Sequence, residues 1–292
     1  MRPVPVPETY NYIGVFLTFG CNLNCSYCIN HFEKGLQARP FLSGREWVTA
    51  LNRLTSRPDL PVSLQGGEPS LHPDYLYIIN HLKPELRIDL LTNLSFNIDQ
   101  FMDQVDPRRL KRDSPYASIR VSYHPETMKL EETVEKVLRM LTKGYSIGIW
   151  SVLHPHWKEH VLKAQTACIA RGIDFRTKEF LGEYEGKLYG EYKYPEACAK
   201  KSAGSVRCRT TELLIDPQAK VFRCHHDVYA NTGPVGSLLD DGFQIDDTLR
   251  PCAAYGFCNP CDIKVKTNRF QQYGHTSVDI QFSDRTQPQG RP

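Results

Sequence analysis

The segment YIGVFLTFGCNLNCSYC (residues 12–28) joins an apolar run to three cysteines. Residues 12–19 have the composition of a buried strand. The cysteines follow at once with the spacing CxxxCxxC. Three thiolates are one fewer than a closed four-coordinate metal site requires. The fourth position is therefore either supplied from elsewhere in the chain or left open for another molecule.

The composition is that of a globular chain of 292 residues with a formal net charge of +3. No run of Lys and Arg stands out, so neither nucleic acid nor an anionic membrane is required as a partner. No apolar stretch reaches the roughly 18 residues that span a bilayer, and the N-terminus lacks the apolar region of a signal peptide. Ten cysteines in such a chain indicate metal binding or redox chemistry in a reducing compartment, so we expect a cytoplasmic protein.

Apolar stretches of strand length alternate with segments of helical period between residues 12 and 180. The predicted strands cover residues 12–19, 61–65, 87–93, 118–124, 146–154 and 173–180. The predicted helices cover residues 43–54, 73–82, 97–105, 125–144 and 156–172. Ser43 and Glu46 form a capping-box pattern, and Gly144 ends the clearest helix. This alternation indicates parallel strands joined by crossovers, an α/β fold.

Short polar motifs fall where the predicted strands end. QGGEP (65–69) closes the second strand, where two glycines permit a close backbone approach and Glu68 supplies a carboxylate for an ammonium group. LLTN (90–93) and RVSYHP (120–125) end the third and fourth strands. An ordinary turn and a helix cap are the alternative interpretations of the first two motifs. His154, at the end of the fifth strand, either points into the barrel mouth or caps the next helix.

The cysteine triplet, with an aromatic residue before its last cysteine, resembles the radical S-adenosylmethionine (SAM) superfamily. The resemblance implies a partial (β/α)6 TIM-like barrel and a 4Fe–4S cluster held by Cys21, Cys25 and Cys28, with SAM on the fourth iron. It further implies that SAM contacts are made by Tyr27, Gly66, Gly67, Glu68, Asn93 and Ser122. Enzymes of this kind receive one electron from a reducing partner such as flavodoxin or ferredoxin. They cleave SAM to a 5′-deoxyadenosyl radical that abstracts hydrogen from a substrate.

A second set of five cysteines lies between residues 208 and 261. CRTTELLIDPQAKVFRC (208–224) predicts a β-hairpin, and CAAYGFCNPC (252–261) adds the spacing C-x5-C-x2-C. Four thiolates from these two segments suit zinc or an iron–sulfur cluster. The region resembles the SPASM or shorter twitch extension of radical SAM enzymes. That resemblance implies a second, auxiliary 4Fe–4S cluster held by Cys208, Cys224, Cys258 and Cys261, with Cys252 as a competitor for one corner. Ala219 stands where the extension has a glycine, so we expect a slightly different turn.

The resulting prediction has a radical SAM barrel over residues 10–181, followed by a linker or lid loop at 182–205. A small cysteine-rich auxiliary-cluster domain, made of a β-hairpin and a helix, covers residues 206–275. Residues 283–292 form a loose tail. We expect an oxidoreductase that dehydrogenates a small molecule and passes an electron to the auxiliary cluster. Only twenty residues precede Cys21, which favours a small molecule over a peptide with a fused leader-binding domain. The alternatives are a redox-neutral epimerase, a peptide (RiPP)-modifying enzyme, and a non-catalytic iron–sulfur or zinc-binding adaptor.

Overall fold

A computed structural model of the protein describes residues 1–31, 39–201, 204–267 and 273–282. The predicted tail at 283–292 lies outside the described residues. The strands are β1 (Val4–Pro5), β2 (Tyr12–Thr18), β3 (Leu54–Thr55), β4 (Val62–Gly66), β5 (Ile88–Thr92), β6 (Ile119–Ser122), β7 (Ile147–Leu153), β8 (Phe175–Glu179), β9 (Gly182–Tyr184), β10 (Lys187–Tyr189), β11 (Val206–Thr210), β12 (Glu212–Ile215), β13 (Lys220–Phe222), β14 (Gly236–Ser237), β15 (Arg250–Cys252) and β16 (Val278–Phe282).

The α-helices are α1 (Gly44–Leu51), α2 (Tyr75–His81), α3 (Ile98–Gln104), α4 (Pro107–Leu110), α5 (Leu130–Thr142), α6 (Lys158–Ile169), α7 (His225–Ala230) and α8 (Pro260–Ile263). Short 3-10 turns cover Ile29–His31, Pro69–Leu71, Pro155–Trp157 and Pro195–Cys198. Among the helices of the described ranges, none has the length and apolar character needed to cross a membrane.

The main sheet has the strand order β14-β13-β12-β2-β4-β5-β6-β7-β8. Its strands from β2 through β8 pair in parallel. Helices α1 to α6 lie between these strands in sequence, as the alternating pattern predicts. The predicted α/β class and the partial TIM-like barrel are therefore confirmed. The carboxyl ends of the parallel strands meet at one edge, which is where such barrels carry their functional loops.

The predicted C-terminal hairpin forms, but it belongs to the barrel sheet. Strand β12 pairs antiparallel with β13 and parallel with β2, with Glu212 opposite Tyr12. All four residues of β12 are buried, as a strand inside a sheet requires. Strand β11, which contains Cys208, lies instead in a separate three-stranded sheet between β15 and β16. The chain therefore passes from the small sheet into the barrel sheet between Thr210 and Glu212.

The turn of this hairpin depends on Asp216 and Ala219. The Asp216 carboxylate accepts hydrogen bonds from the backbone of Gln218 and Lys220, each over 2.9 Å. Ala219 adopts a left-handed conformation with φ of 59°. This is the conformation that glycine favours, so the turn keeps a glycine-type backbone although it carries an alanine.

The N-terminus of α1 and the C-terminus of α5 form as the local sequence predicts, but the N-terminus of α5 does not. The capping box of α1 is confirmed, since Glu46 N donates to Ser43 Oγ and Ser43 N donates to Glu46 Oε2. Gly144 follows α5 with φ of 85°, as its predicted role requires. Helix α5 starts at Leu130, later than predicted, because the chain first forms a turn closed by hydrogen bonds to the carbonyl of His124.

The predicted loop after the sixth barrel strand contains a short hairpin. Strands β9 and β10 pair antiparallel, with Lys187 opposite Tyr184. Glu185 and Gly186 connect them with φ of 50° and 73°, the conformation of a tight two-residue hairpin turn. The ring of Tyr184 meets that of His154 edge to face at 4.7 Å. This contact places the hairpin beside the ends of β7 and the cysteine loop.

The apolar core lies mainly between the barrel sheet and helices α1 to α6. A second cluster supports the small sheet and includes Val206, Tyr255 and Ile280. A third cluster contains Phe16, Phe19, Leu214, Phe222 and Val228. This third cluster joins β2, β12, β13 and α7, so it packs the C-terminal segment against the barrel strand that leads to the cysteine triplet.

Candidate active site

One cavity of about 810 Å³ opens at the carboxyl ends of the barrel strands. Its wall includes Cys21, Cys25 and Cys28 on one side and Cys261 from the C-terminal segment on another. The predicted SAM contacts also line it, namely Tyr27, Gly66, Gly67, Glu68, Asn93 and Ser122. A volume of this size suits a nucleoside ligand together with a second small molecule.

The three thiols of the first motif differ in exposure. Cys25 is buried, Cys28 is partly buried and Cys21 is exposed. Burial raises the pKa of Cys25 to about 11; Thr127 opposes this rise, whereas Cys28 and Cys21 add to it. The mutual effect shows that these thiols lie within electrostatic range of one another. Three soft donors on one cavity wall fit an iron–sulfur cluster.

Within residues 1–31, 39–201, 204–267 and 273–282, no group of three His, Cys, Asp or Glu side chains is arranged to hold a single metal ion. In a 4Fe–4S cluster each cysteine binds a different iron, so the ligands of a cluster lie farther apart than those of a single ion.

The cysteine loop is anchored to the segment after β6. Ser26 donates from its backbone N and its Oγ to Glu126 Oε2, over 2.9 and 3.2 Å. Tyr27 Oη lies 3.3 Å from His124 Nδ1, and its ring stacks on His154 at 4.9 Å. His154 also accepts from His156 N, so it caps the following turn and faces the cysteine loop at the same time. These contacts fix the loop over the ends of β6 and β7.

The two glycines of QGGEP are required by the protein's own backbone. A Cβ on Gly66 would lie 1.9 Å from the carbonyl oxygen of Thr18, and one on Gly67 would lie 2.2 Å from that of Gly20. Gly67 N donates to Thr18 O, and Glu68 N donates to Gly20 O. The backbone that closely approaches these two glycines is thus that of the end of β2 and the start of the cysteine loop.

Glu68 is buried and holds the ends of two strands together. Its Oε1 accepts from Ser70 Oγ at 2.6 Å, from Ser70 N at 3.1 Å and from Thr92 Oγ1 at 2.7 Å. Its Oε2 accepts from Asn93 N at 2.6 Å. Burial raises the pKa of the carboxyl group, and these hydrogen bonds oppose that rise. Oε2 has one remaining acceptor position, which suits an ammonium donor.

Asn93 and Ser122 have different surroundings. The Asn93 side chain donates to Asn22 Oδ1 over 2.8 Å and accepts from Ser95 N over 3.0 Å. It therefore positions the cysteine loop, since Asn22 follows Cys21 directly. Ser122 lines the cavity, and the described part of the chain offers its hydroxyl no hydrogen-bond partner. Ser122 is the more available of the two for a ligand.

The thiols of the second cysteine set lie in a cluster under the small sheet, which contains Cys208, Cys224, Cys252 and Cys258, and in the cavity wall, which contains Cys261. Cys208 and Cys252 lie close enough to perturb each other's ionisation, so that the pKa of Cys208 is raised and that of Cys252 is lowered. Cys258 and Cys224 also raise the pKa of Cys208. For Cys261, burial raises the pKa to about 12, with Asp262 and Lys266 as the strongest charged neighbours. Cys208, Cys224, Cys252 and Cys258 thus form one group, whereas Cys261 faces the cavity.

Asp262 connects the two loops that carry these cysteines. It is buried, and its Oδ1 accepts from both His225 N at 2.9 Å and His225 Nδ1 at 2.8 Å. Its Oδ2 accepts from His226 N at 3.2 Å. Burial alone lowers the pKa of His225, but the carboxylate of Asp262 outweighs burial and the net pKa is raised. Asp262 therefore fixes the start of α7, directly after Cys224.

Sequence reasoning missed the charged residues in the cavity wall. Arg120, Lys178, Lys264 and Lys266 all line the cavity, as does Tyr229 of α7. The signal for Lys178 was present, because a lysine in an otherwise strand-like segment must face either solvent or a barrel interior. Only the closed arrangement of the sheet shows that it faces the interior.

These features define an α/β-barrel protein whose ligand cavity lies at the carboxyl ends of the strands and is lined by cysteines. Residues 15–174 match the sequence model of the Radical SAM superfamily, and the match covers more than half of the chain. The chain belongs to this superfamily, and it is a radical SAM enzyme. Membership implies a 4Fe–4S cluster, SAM and a source of electrons.

Curated relatives match over limited lengths. A probable GTP 3′,8-cyclase of Pyrococcus horikoshii is 40% identical over 83 residues, which is 28% of this chain and 26% of the relative. A 7-carboxy-7-deazaguanine synthase of Clostridium acetobutylicum is 30% identical over 94 residues, 31% of this chain and 42% of the relative. The chain thus spans only a quarter to two fifths of these proteins, whose names denote a cyclase and a synthase rather than a dehydrogenase.

Solved structures resemble the fold over most of the chain. Streptococcus suis SuiB bound to its precursor peptide SuiA gives a TM-score of 0.56 at 15% identity, covering 82% of this chain and 64% of SuiB. The protein anSMEcpe with bound AdoMet gives 0.54 at 13% identity, covering 82% and 78%. At these identities the likeness shows the fold alone.

Proposed function

We propose that the chain cleaves SAM reductively and uses the resulting radical to abstract hydrogen from a substrate. The observation that carries this proposal is the meeting of four features in one cavity. These are the cysteine triplet, the QGGEP strand end, the free hydroxyl of Ser122 and the second cysteine segment.

The proposed ligands of the first cluster are Cys21, Cys25 and Cys28. When bound, the cluster supplies the electron that splits SAM into methionine and a 5′-deoxyadenosyl radical. Glu68 Oε2 would accept a hydrogen bond from the amine of SAM, and Ser122 would contact its polar groups. Tyr27, held between His124 and His154, would flank the adenine.

The proposed net reaction is oxidation of a small molecule, with an auxiliary 4Fe–4S cluster as electron acceptor. The grouping of four thiols, those of Cys208, Cys224, Cys252 and Cys258, supports a second four-thiolate site. The ligand set that the sequence predicts, with Cys261 in place of Cys252, remains the alternative. Relatives named for GTP and for a deazaguanine support a small-molecule substrate.

A redox-neutral reaction is the second candidate, because the thiol of Cys261 faces the cavity. Its raised pKa keeps the sulfur protonated at neutral pH, as donation of a hydrogen atom requires. The two candidates differ in the origin of hydrogen in the product. Incorporation of solvent deuterium would favour the redox-neutral candidate.

The proposal is tested with anaerobically reconstituted protein, SAM and dithionite. We expect 5′-deoxyadenosine from the wild type and none from Cys25→Ala. Cys168→Ala is the matched control, because Cys168 is buried on α6, away from the cavity wall. A wild type that holds its clusters but forms no 5′-deoxyadenosine would contradict the proposal and favour a non-catalytic iron–sulfur protein.

A further inference from the structure

Lys178 is a cation of the cavity wall. It lies near the carboxyl end of β8, where its side chain is exposed to the cavity. Across the part of the chain that the structure describes, its ammonium group makes no hydrogen bond or ion pair. Burial, with the charges of Arg120 and Lys264, lowers its pKa to about 8.

Arg120 adds a second positive charge that is only partly balanced. Arg120 Nη2 lies 3.1 Å from Asp89 Oδ2, but Arg112 already binds both oxygens of Asp89, at 2.8 and 2.9 Å. One buried carboxylate therefore serves two guanidinium groups. Arg120 Nε is buried and lacks a hydrogen-bond partner among the described residues. Arg120 therefore contributes to the cavity wall a positive charge that Asp89 offsets only in part.

Two carboxylates of the cavity wall are already engaged with other lysines. Glu179 pairs with Lys264 over 2.6 Å, and Glu212 pairs with Lys266 over 2.7 Å. Three further acidic residues line the wall. Glu68 follows β4 and accepts hydrogen bonds from Ser70, Thr92 and Asn93. Asp59 and Asp113 precede β4 and β6 and so lie toward the amino ends of the strands. The positive charge near the carboxyl end of β8 therefore has no counter-ion from these groups.

We propose that Lys178 binds an oxyanion of the substrate, a phosphate or a carboxylate, in the positive field to which Arg120 contributes. This inference rests on the proposed function, since it takes the cavity as the place where substrate binds. Phosphate and carboxylate oxygens accept charge-assisted hydrogen bonds from ammonium and guanidinium groups. Inside a cavity, where water is less abundant than at an open surface, such a bond is stronger than it is in bulk water.

The carboxylate of SAM is a poor candidate for this site. The proposed contacts of the SAM amine lie on β4 and β5, and an amino acid carries its carboxylate next to its amine. Lys178 lies on β8, an edge strand that β6 and β7 separate from β5. It is also close enough to Cys261 for the two groups to affect each other's charge, which places it toward the C-terminal segment.

The test is anaerobic calorimetric titration of reconstituted, SAM-saturated protein at low ionic strength. Inorganic pyrophosphate and citrate are the two probes. We expect at least one to bind, Lys178→Met to weaken that binding by about tenfold or more, and Lys178→Arg to retain it within about threefold. Lys163→Met is the matched control, because Lys163 is an exposed lysine on α6 that does not line the cavity. The preferred probe assigns the substrate group as phosphate or carboxylate.

Three results would overturn the inference. These are the absence of binding by both probes, equal binding by Lys178→Met and the wild type, and binding of a probe only when the titration is repeated without SAM. The last result would assign the cation to the carboxylate of SAM. The titration contains no reductant, so it is independent of the 5′-deoxyadenosine assay. A wild type that cleaves SAM but binds neither probe would refute the oxyanion site and leave the proposed function standing.

Discussion

Tyr229 Oη donates a hydrogen bond to Asn30 Oδ1 over 2.7 Å, and this bond links the two cysteine-bearing parts of the chain. Asn30 follows Cys28 by two residues, and its Nδ2 donates to Gly66 O over 2.8 Å. Tyr229 lies on α7, which begins directly after Cys224. A single side chain therefore connects the cysteine loop, the QGGEP strand end and the C-terminal segment.

Removal of this hydroxyl is expected to loosen the cysteine loop. Tyr229→Phe leaves the Asn30 oxygen without its donor and should lower the free energy of unfolding by about 1 kcal/mol. Iron should also be lost faster to a chelator, which is followed by absorbance. Tyr77→Phe is the control, because Tyr77 is partly exposed and stacks on His81 at the surface. Equal rates of iron loss in wild type and Tyr229→Phe would show that the bond does not support the loop.

Gly67 should tolerate no side chain. Gly67→Ala places a methyl group against the backbone of Gly20 and Phe19, so the cysteine loop must move away from β4. We expect loss of the iron that Cys21, Cys25 and Cys28 would hold, measured by elemental analysis. Gly20→Ala is the matched control, because its nearest neighbour would be Thr18 Oγ1 at 3.4 Å, an ordinary contact. Full iron content in Gly67→Ala would refute this role of the two glycines.

The auxiliary ligands can be separated by two substitutions. The grouping of thiols predicts that Cys252→Ala loses the iron of one cluster, because its thiol lies in the same cluster of side chains as those of Cys208 and Cys258. Cys261→Ala should keep that iron, because its thiol faces the cavity. Iron content and electron paramagnetic resonance of the reduced proteins provide the measurement. The reverse result would restore the ligand set that the sequence predicts.

His124 should make the fold sensitive to acid. Burial lowers its pKa to about 4 from the ordinary 6.5. Between these values the unfolded chain binds a proton that the folded chain does not, so stability is complete above pH 6.5 and falls as the pH is lowered toward 4. The expected loss at pH 5 is about 2 kcal/mol, measured by denaturant unfolding. His124→Gln should show a smaller loss between pH 7 and pH 5, and an unchanged loss would assign the effect to other groups.

The sequence predicted those structural features that depend on interactions between residues close together in the chain. Apolar runs and the Ser43–Glu46 pattern determine the barrel strands and the first helix cap, because burial and capping act over a few residues. The cysteine spacing and QGGEP likewise indicated which residues share a cavity.

The remaining features depend on long-range packing. Strand β12 lies beside β2, about two hundred residues earlier in the chain, and no local pattern specifies that neighbour. The pairing of Cys208 with Cys252 follows from the register of β11 against β15, where Val206 lies opposite Cys252. Among the described residues Lys178 has no ion pair, because the wall carboxylates Glu179 and Glu212 pair with Lys264 and Lys266. None of these follows from spacing along the chain.

The central claim is that Cys21, Cys25 and Cys28 leave one iron open for SAM, and pulsed electron–nuclear double resonance tests it most directly. The sample is the reduced, reconstituted protein mixed with SAM that carries ¹⁵N in its amino group. We expect a hyperfine coupling between the cluster and this nitrogen that is absent from Cys25→Ala. A reduced wild-type cluster whose spectrum is the same with and without SAM would contradict the claim.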